Sequence, residues 1–244
     1  MYCISVLSAL VPSIILLWYI YRKDSQSPEP VHALVIATLL GVLSILLSLC
    51  MSLPLLTIGI IPKEIHNFWD AINRAFLGAA IPEELAKLFV LWLFLRKNKY
   101  FDERMDGIVY AVCVALGFAG FENILYVVYT YVAGETNWVT IALARAFTAV
   151  PGHFCNGVLM GYFYSLAHFS SKNRTKYIVM TILAPIIAHG IYDAIPFTLT
   201  INISTWSIVV LMLVFIAFCF YLWRSASRAI KAYISESKPD ANVS

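Results

Sequence analysis

Charge is scarce in this chain: only 13% of its residues are Asp, Glu, Lys or Arg, against about 25% in an ordinary soluble domain. The net charge of +3 is too small for a nucleic-acid-binding face. No polar stretch is long enough to be a soluble domain, and there is no low-complexity segment and no internal repeat. The five cysteines, Cys3, Cys50, Cys113, Cys155 and Cys219, have no paired spacing. They read as packing thiols rather than as disulfides or a zinc cluster. There is no H-E-x-x-H, which excludes the zincin arrangement of metal ligands. The first apolar run has neither a basic n-region nor an A-x-A cleavage site, so it reads as a span and not as a signal peptide.

What is present is hydrophobic length. With 61% hydrophobic residues and a mean hydropathy of +0.79, the chain is expected to be all-α, a polytopic bundle of transmembrane helices. Seven apolar runs approach or exceed the length needed to cross a bilayer, at 3–21, 31–53, 75–95, 107–132, 139–169, 177–199 and 205–223. Residues 1–224 then form one bundle domain. Residues 225–244 form a short polar tail, readable as a frayed interfacial helix. Thirteen of the fifteen loop and tail Lys and Arg lie on one side of such a bundle. The positive-inside rule makes that side cytoplasmic, with the N-terminus outside and the C-terminus in the cytoplasm of a multi-pass plasma-membrane protein. The outer segment 63–74 (KEIHNFWDAINR) is expected to lie in the interface as a short helix. Pro151-Gly152 is expected to kink or break the long fifth run.

Four consecutive runs carry polar residues at similar depth. The third holds Glu83, Glu84 and Lys87 behind Pro82, in AFLGAAIPEELAKLFVLWLFLR. The fourth holds Glu122 and Asn123, the fifth Arg145 and His153, the sixth His189 and Asp193. At a rise of about 1.5 Å per residue, Glu83, Glu122, His153 and His189 fall roughly 13–21 Å from the outer ends of their helices, within a turn or two of the midplane. Lys87 follows Glu83 by four residues and Glu84 by three, and Asp193 follows His189 by four, so each group shares a helical face.

Taken singly, each residue has a plain packing role. A buried ion pair can lock helices together, and a lone membrane histidine is more often an interhelical hydrogen bond than a ligand. A charge at mid-bilayer costs about 2.5–3.5 kcal/mol on insertion scales, however, and the coincidence in four runs is harder to explain as packing. Fully ionised, the set holds four carboxylates against two cations. A low-dielectric site resolves that excess by binding a divalent cation, protonating a carboxylate or charging a histidine. All three suit hydrolysis. Broken helices and midplane acids suit an ion-coupled transporter equally well, and a zinc-dependent lipid amidase or a non-catalytic membrane partner are further readings.

At these residues the chain resembles the PrsW family of intramembrane proteases, within the larger group of CAAX prenyl endopeptidases and bacteriocin-processing enzymes. The matching blocks are PEELAK in the third run, DGIVYAVCVALGFAGFENILYV in the fourth, ARAFTAVPGHFCNGVLMGY in the fifth and AHGIYDA in the sixth, with YRKDSQSPEP after the first. The resemblance implies cleavage of a single-span, anti-sigma-factor-like membrane protein within or beside the bilayer. It assigns Glu83 and Glu84 as the paired glutamates, Glu122 as the acid of the second block, and His153 and His189 as the essential histidines. Asp193 would orient His189, with Lys87, Asn123 and Arg145 in support. Relative to the CAAX enzymes, Lys87 stands where Arg is usual, Glu122 where His is usual and Asp193 where Asn is common. Two mechanisms remain open on this reading. In one, glutamate activates water without metal; in the other, a zinc ion is held by Glu122, His153 and His189.

Overall fold

The computed structural model describes residues 2–133 and 138–236; the side chain of Cys3 and residues 237–244, Lys238 among them, lie outside the described residues. Among the described residues there is no strand. The helices are α1 (Tyr2–Lys23), α2 (Val31–Thr57), α3 (Phe68–Asn73), α4 (Ile81–Leu95), α5 (Arg104–Val132), α6 (Trp138–Phe147), α7 (Ala149–Phe169), α8 (Arg174–Thr198) and α9 (Thr205–Glu236), with a π-helical segment at Arg74–Ala80. Of these, α2, α5, α8 and α9 are long and apolar enough to cross a bilayer, as a multi-pass membrane protein requires. The other three apolar runs of the sequence fall on α1, on the π segment with α4, and on the α6–α7 pair.

Proline shapes two of these elements. Pro82 has no N–H to donate and its ring crowds the turn behind it. The backbone widens there: Arg74–Ala80 is π-helical, and the N–H of Ile81 donates to the carbonyl of Phe76, five residues back. The wide turn sits immediately before Glu83. Upstream, the Asn67 side chain caps α3 by accepting from the N–H groups of Trp69 (2.9 Å) and Asp70 (3.1 Å). Within segment 63–74 the helix is Phe68–Asn73, with Phe68 and Trp69 exposed, and it continues directly into the π segment. In the fifth run the break falls at Thr148 (φ −124°, ψ −66°), three residues before Pro151. Pro151 thus occupies the first turn of α7, where its missing N–H is harmless.

The centre of the bundle is α5, which packs on α1, α2, α4, α6, α7 and α9 and is buried over most of its length. One of its faces joins α1, α7, α8 and α9 around Val109, Val112 and Phe154. Another joins α2 and α4 around Tyr110, Val114 and Leu91. Lipid offers no hydrophobic drive between helices, so contact relies on close approach through small residues. A Cβ at Gly41 of α2 would collide with the Val114 carbonyl of α5, and one at Gly161 of α7 with the Gly107 carbonyl. Helix α9 runs on through residue 224, and its last turns are packed. Ala226, Ile230 and Tyr233 are buried, and the Tyr233 hydroxyl donates to the Tyr162 carbonyl at 2.8 Å.

Candidate active site

Five helices, α4 to α8, bring their polar residues to one place beside the wide turn. Lys87 is almost fully buried (1% exposed), and its Nζ stands 2.9 Å from Glu84 Oε1, 3.3 Å from Glu83 Oε2 and 3.1 Å from His153 Nδ1. The ring of Phe118 on α5 lies 3.9 Å beneath the ammonium and adds cation–π attraction. An ammonium only donates, so His153 accepts from it at Nδ1 and carries its own proton on Nε2. That Nε2 faces Glu122 Oε2 at 3.1 Å.

Glu122 is held from the other side by Arg145. The guanidinium reaches Glu122 Oε2 at 2.6 Å and donates from Nε to Asn123 Oδ1 at 2.8 Å, with Tyr126 under it at 4.0 Å. Asn123, fully buried, donates in turn to the Ala9 carbonyl of α1 at 2.7 Å. Arg145 thus clamps a carboxylate; α6, which carries it, ends just before the break at Thr148.

His189 closes the cluster from α8. Its Nδ1 lies 2.8 Å from Glu84 Oε1, and its Nε2 lies 3.3 Å from Asp193 Oδ2 and 3.9 Å from Glu83 Oε2. With carboxylate oxygens at both nitrogens, the ring is satisfied by a proton on each, as the imidazolium. The His153 and His189 rings meet edge to face at 5.1 Å between centroids. All nine predicted residues therefore belong to one connected network, and Glu84 Oε2 is the buried oxygen in it without a hydrogen-bond partner. The supporting rings, Phe118 and Tyr126, were not predicted. Each stands four residues from Glu122 on α5, a spacing that puts all three on one face.

The donors that can converge on one ion are Glu83, Glu84, His153 and His189, with ligand atoms within 4.8 Å of one another. Glu122 is outside this group, being engaged by Arg145 and His153. Two carboxylates, two imidazoles and a buried unpartnered Glu84 oxygen form a donor set of the kind zinc takes. Lys87 Nζ touches three of the four residues, so a metal ion and this ammonium are alternative cations for the same pocket.

Acids and imidazoles assembled between apolar helices are compatible with a membrane-embedded hydrolase. The chain belongs to the PrsW family of intramembrane metalloproteases, whose pattern it matches over residues 29–222. It is 34% identical over 238 residues to Protease PrsW of Geobacillus kaustophilus (strain HTA426), covering 97% of this chain and 96% of that one. It is 34% identical over 226 residues to Protease PrsW of Bacillus subtilis (strain 168), covering 92% and 94%. To Protease PrsW of Clostridioides difficile (strain 630) it is 32% identical over 235 residues, covering 95% and 92%. No solved structure matches the chain. The protein is an intramembrane protease acting in the lipid bilayer.

Proposed function

We propose that the chain cuts a peptide bond of a single-span, membrane-anchored protein of the anti-sigma-factor type, using Glu83 as the general base. The observation that carries this is the difference between the paired glutamates. The Glu84 side chain is 1% exposed and held between Lys87 and His189. Glu83 is 13% exposed, touches Lys87 only at 3.3 Å, and can meet water and a substrate carbonyl. Lys87 holds it in place. His189 is the donor for the developing oxyanion. Its bond to Asp193, the longer of its two, leaves Nε2–H the more readily shared, while Glu84 anchors Nδ1. His153, Glu122, Asn123 and Arg145 position Lys87 from behind.

Glu83, Glu84, His153 and His189 are the residues that would hold a zinc ion. When bound, zinc lowers the pKa of its water and polarises the scissile carbonyl. With zinc bound, His189 would be a neutral ligand and Glu83 a ligand too, so the base and oxyanion-donor roles assigned to them belong to the metal-free site. The wider architecture of this reading is one seven-span bundle in the plasma membrane, N-terminus outside, with the basic loops and the C-terminal end of α9 in the cytoplasm. The biased Lys and Arg loops support it. The test is cleavage of a tagged single-span protein in isolated membranes. Glu83→Gln and His189→Ala should each abolish it at unchanged membrane abundance, and wild-type turnover by both would refute the assignment. Turnover of a lipid amide but of no peptide would move the site to the amidase class.

A further inference from the structure

A second set of acids lies roughly 24 Å from Glu122, sixteen residues earlier on α5, and the protease chemistry does not use it. Asp24 and Glu29 sit in the loop between α1 and α2. Residues 25–28 of that loop are exposed, yet both acids turn inward and are 3% and 6% exposed. They face Asp106, which is fully buried on the first turn of α5. Oxygens of Asp24, Glu103 and Asp106 lie within 4.8 Å of one another. Asp24, Glu29 and Asp106 have no ion-pair partner among the described residues. Of the basic side chains nearby, Arg22 and Lys23 lie over the rings of Trp18 and Tyr19, and Arg104 donates to Ser170.

Most of the oxygens here have modest partners. Asp106 Oδ2 accepts from the N–H groups of Asp102 (3.0 Å) and Glu103 (2.7 Å), Asp24 Oδ2 from the N–H of Glu29 (3.2 Å), and Glu29 Oε2 from the Tyr110 hydroxyl. Asp106 Oδ1 is different: it is buried and accepts from no N–H or hydroxyl donor, with the Glu29 carboxyl as its neighbour. A buried, unpaired carboxylate oxygen beside other carboxylates is costly unless a cation completes it. The donors are oxygens only, the preference of calcium and magnesium and not of zinc.

We infer that Asp24, Glu103 and Asp106, with Glu29 beside them, form a binding site for a hard divalent cation, which ties the first loop to the start of the central helix. The ion enters from the exposed loop, so the site fills without passing through the bundle.

Mn²⁺ binding to the full-length protein in detergent, followed by electron paramagnetic resonance, tests this. One saturable ion is expected that survives Glu84→Gln, the variant that weakens any metal at the active site. It should be lost, or weakened about tenfold or more, in Asp24→Asn and in Asp106→Asn. Competition with Mg²⁺ and with Ca²⁺ separately identifies which hard cation the site prefers. Asp24→Asn keeps the test alive if Asp106→Asn fails to fold, because Asp24 caps no helix. Unchanged Mn²⁺ binding in Asp24→Asn would overturn the proposal. So would the absence of any ion in Glu84→Gln, since the acids would then be sharing protons.

Discussion

Nζ of Lys87 stands 3.1 Å from Nδ1 of His153, a residue sixty-six positions further along the chain and on another helix. One cation thus joins the glutamate pair of α4 to the Glu122–Arg145 pair across α5. Lys87→Met removes it and leaves the buried Glu84 with His189 as its remaining counter-charge, a defect of about 3–5 kcal/mol. The variant should be lost from membranes or melt well below wild type. Lys87→Arg keeps the charge but not the point-like ammonium, so it should retain fold and lose most cleavage. Membrane abundance and substrate turnover, read together, separate the two.

Metal content of the same variants reports on the shared pocket. The ammonium and a metal ion compete for Glu83, Glu84 and His153, so Lys87→Met, stabilised by excess zinc, should bind it more tightly than wild type. Elemental analysis after dialysis against zinc checks this. Equal or lower zinc in the variant would mean that the ammonium and the ion occupy different places.

Asn123 links three helices, donating to the Ala9 carbonyl of α1 and accepting from Arg145 of α6 beside Glu122 of α5. Asn123→Ala orphans the buried Ala9 carbonyl and loosens the arginine, at a cost of about 1–3 kcal/mol. Thermal melting of the purified variant should show that loss, with cleavage reduced but not abolished because Glu122 still has Arg145 and His153. Asn123→Asp, which loses the donor to Ala9, should not rescue stability.

How much of this was readable beforehand differs by level. The helical class follows from hydrophobic length alone, and counting residues from span ends puts Glu83, Glu122, His153 and His189 at one depth. Counting cannot say which atom meets which. Arg145 had two destinations from sequence, the surface or a carboxylate, and only three-dimensional packing selects Glu122. Proline marks a disturbance without locating it. At Pro82 the strain appears upstream, as a wide turn over Arg74–Ala80, and in the fifth run the break falls at Thr148 and not at Pro151-Gly152. In each case the ring's clash lies with earlier residues, so the backbone gives way on the N-terminal side. The polar residues after Trp223 suggested a frayed tail; Ala226, Ile230 and Tyr233, spaced four and three apart, instead supply a packed face.

Close helix contact at Gly41 is a packing requirement and can be tested apart from the chemistry. A side chain there meets the Val114 backbone, which cannot rotate away. Gly41→Leu should force α2 from α5 and destabilise by about 1–3 kcal/mol or more, and Gly41→Ala by less. Gly59 of the following loop has open space around it but a φ of 81°, so Gly59→Asn, which tolerates that conformation, should be nearly silent. Melting temperatures of the variants in one detergent give the ranking.

The inward-turned loop acids predict a pH dependence with a definite sign. Asp24 has its carboxyl pushed up to about 7, first by burial and then by the charges of Asp106 and Glu103, against a partial counter-effect from the Glu29 N–H; burial raises Glu29 as well. In the unfolded chain an Asp titrates near ~3.9. Below that value both states are protonated and the contribution is fully present. Between the two values the folded state keeps a proton that the unfolded state has released, so stability falls as pH rises and is lost above about 7. In chelator-containing buffer the wild type should therefore melt lower at pH 8 than at pH 5. Asp24→Asn should flatten that difference and exceed wild type at pH 8. Adding a hard divalent cation at pH 8 should restore the wild type and leave Asp24→Asn unmoved, because the ion binds the ionised carboxylates that the high pH exposes. Identical pH slopes for wild type and Asp24→Asn would show that this loop titrates as if it were in water.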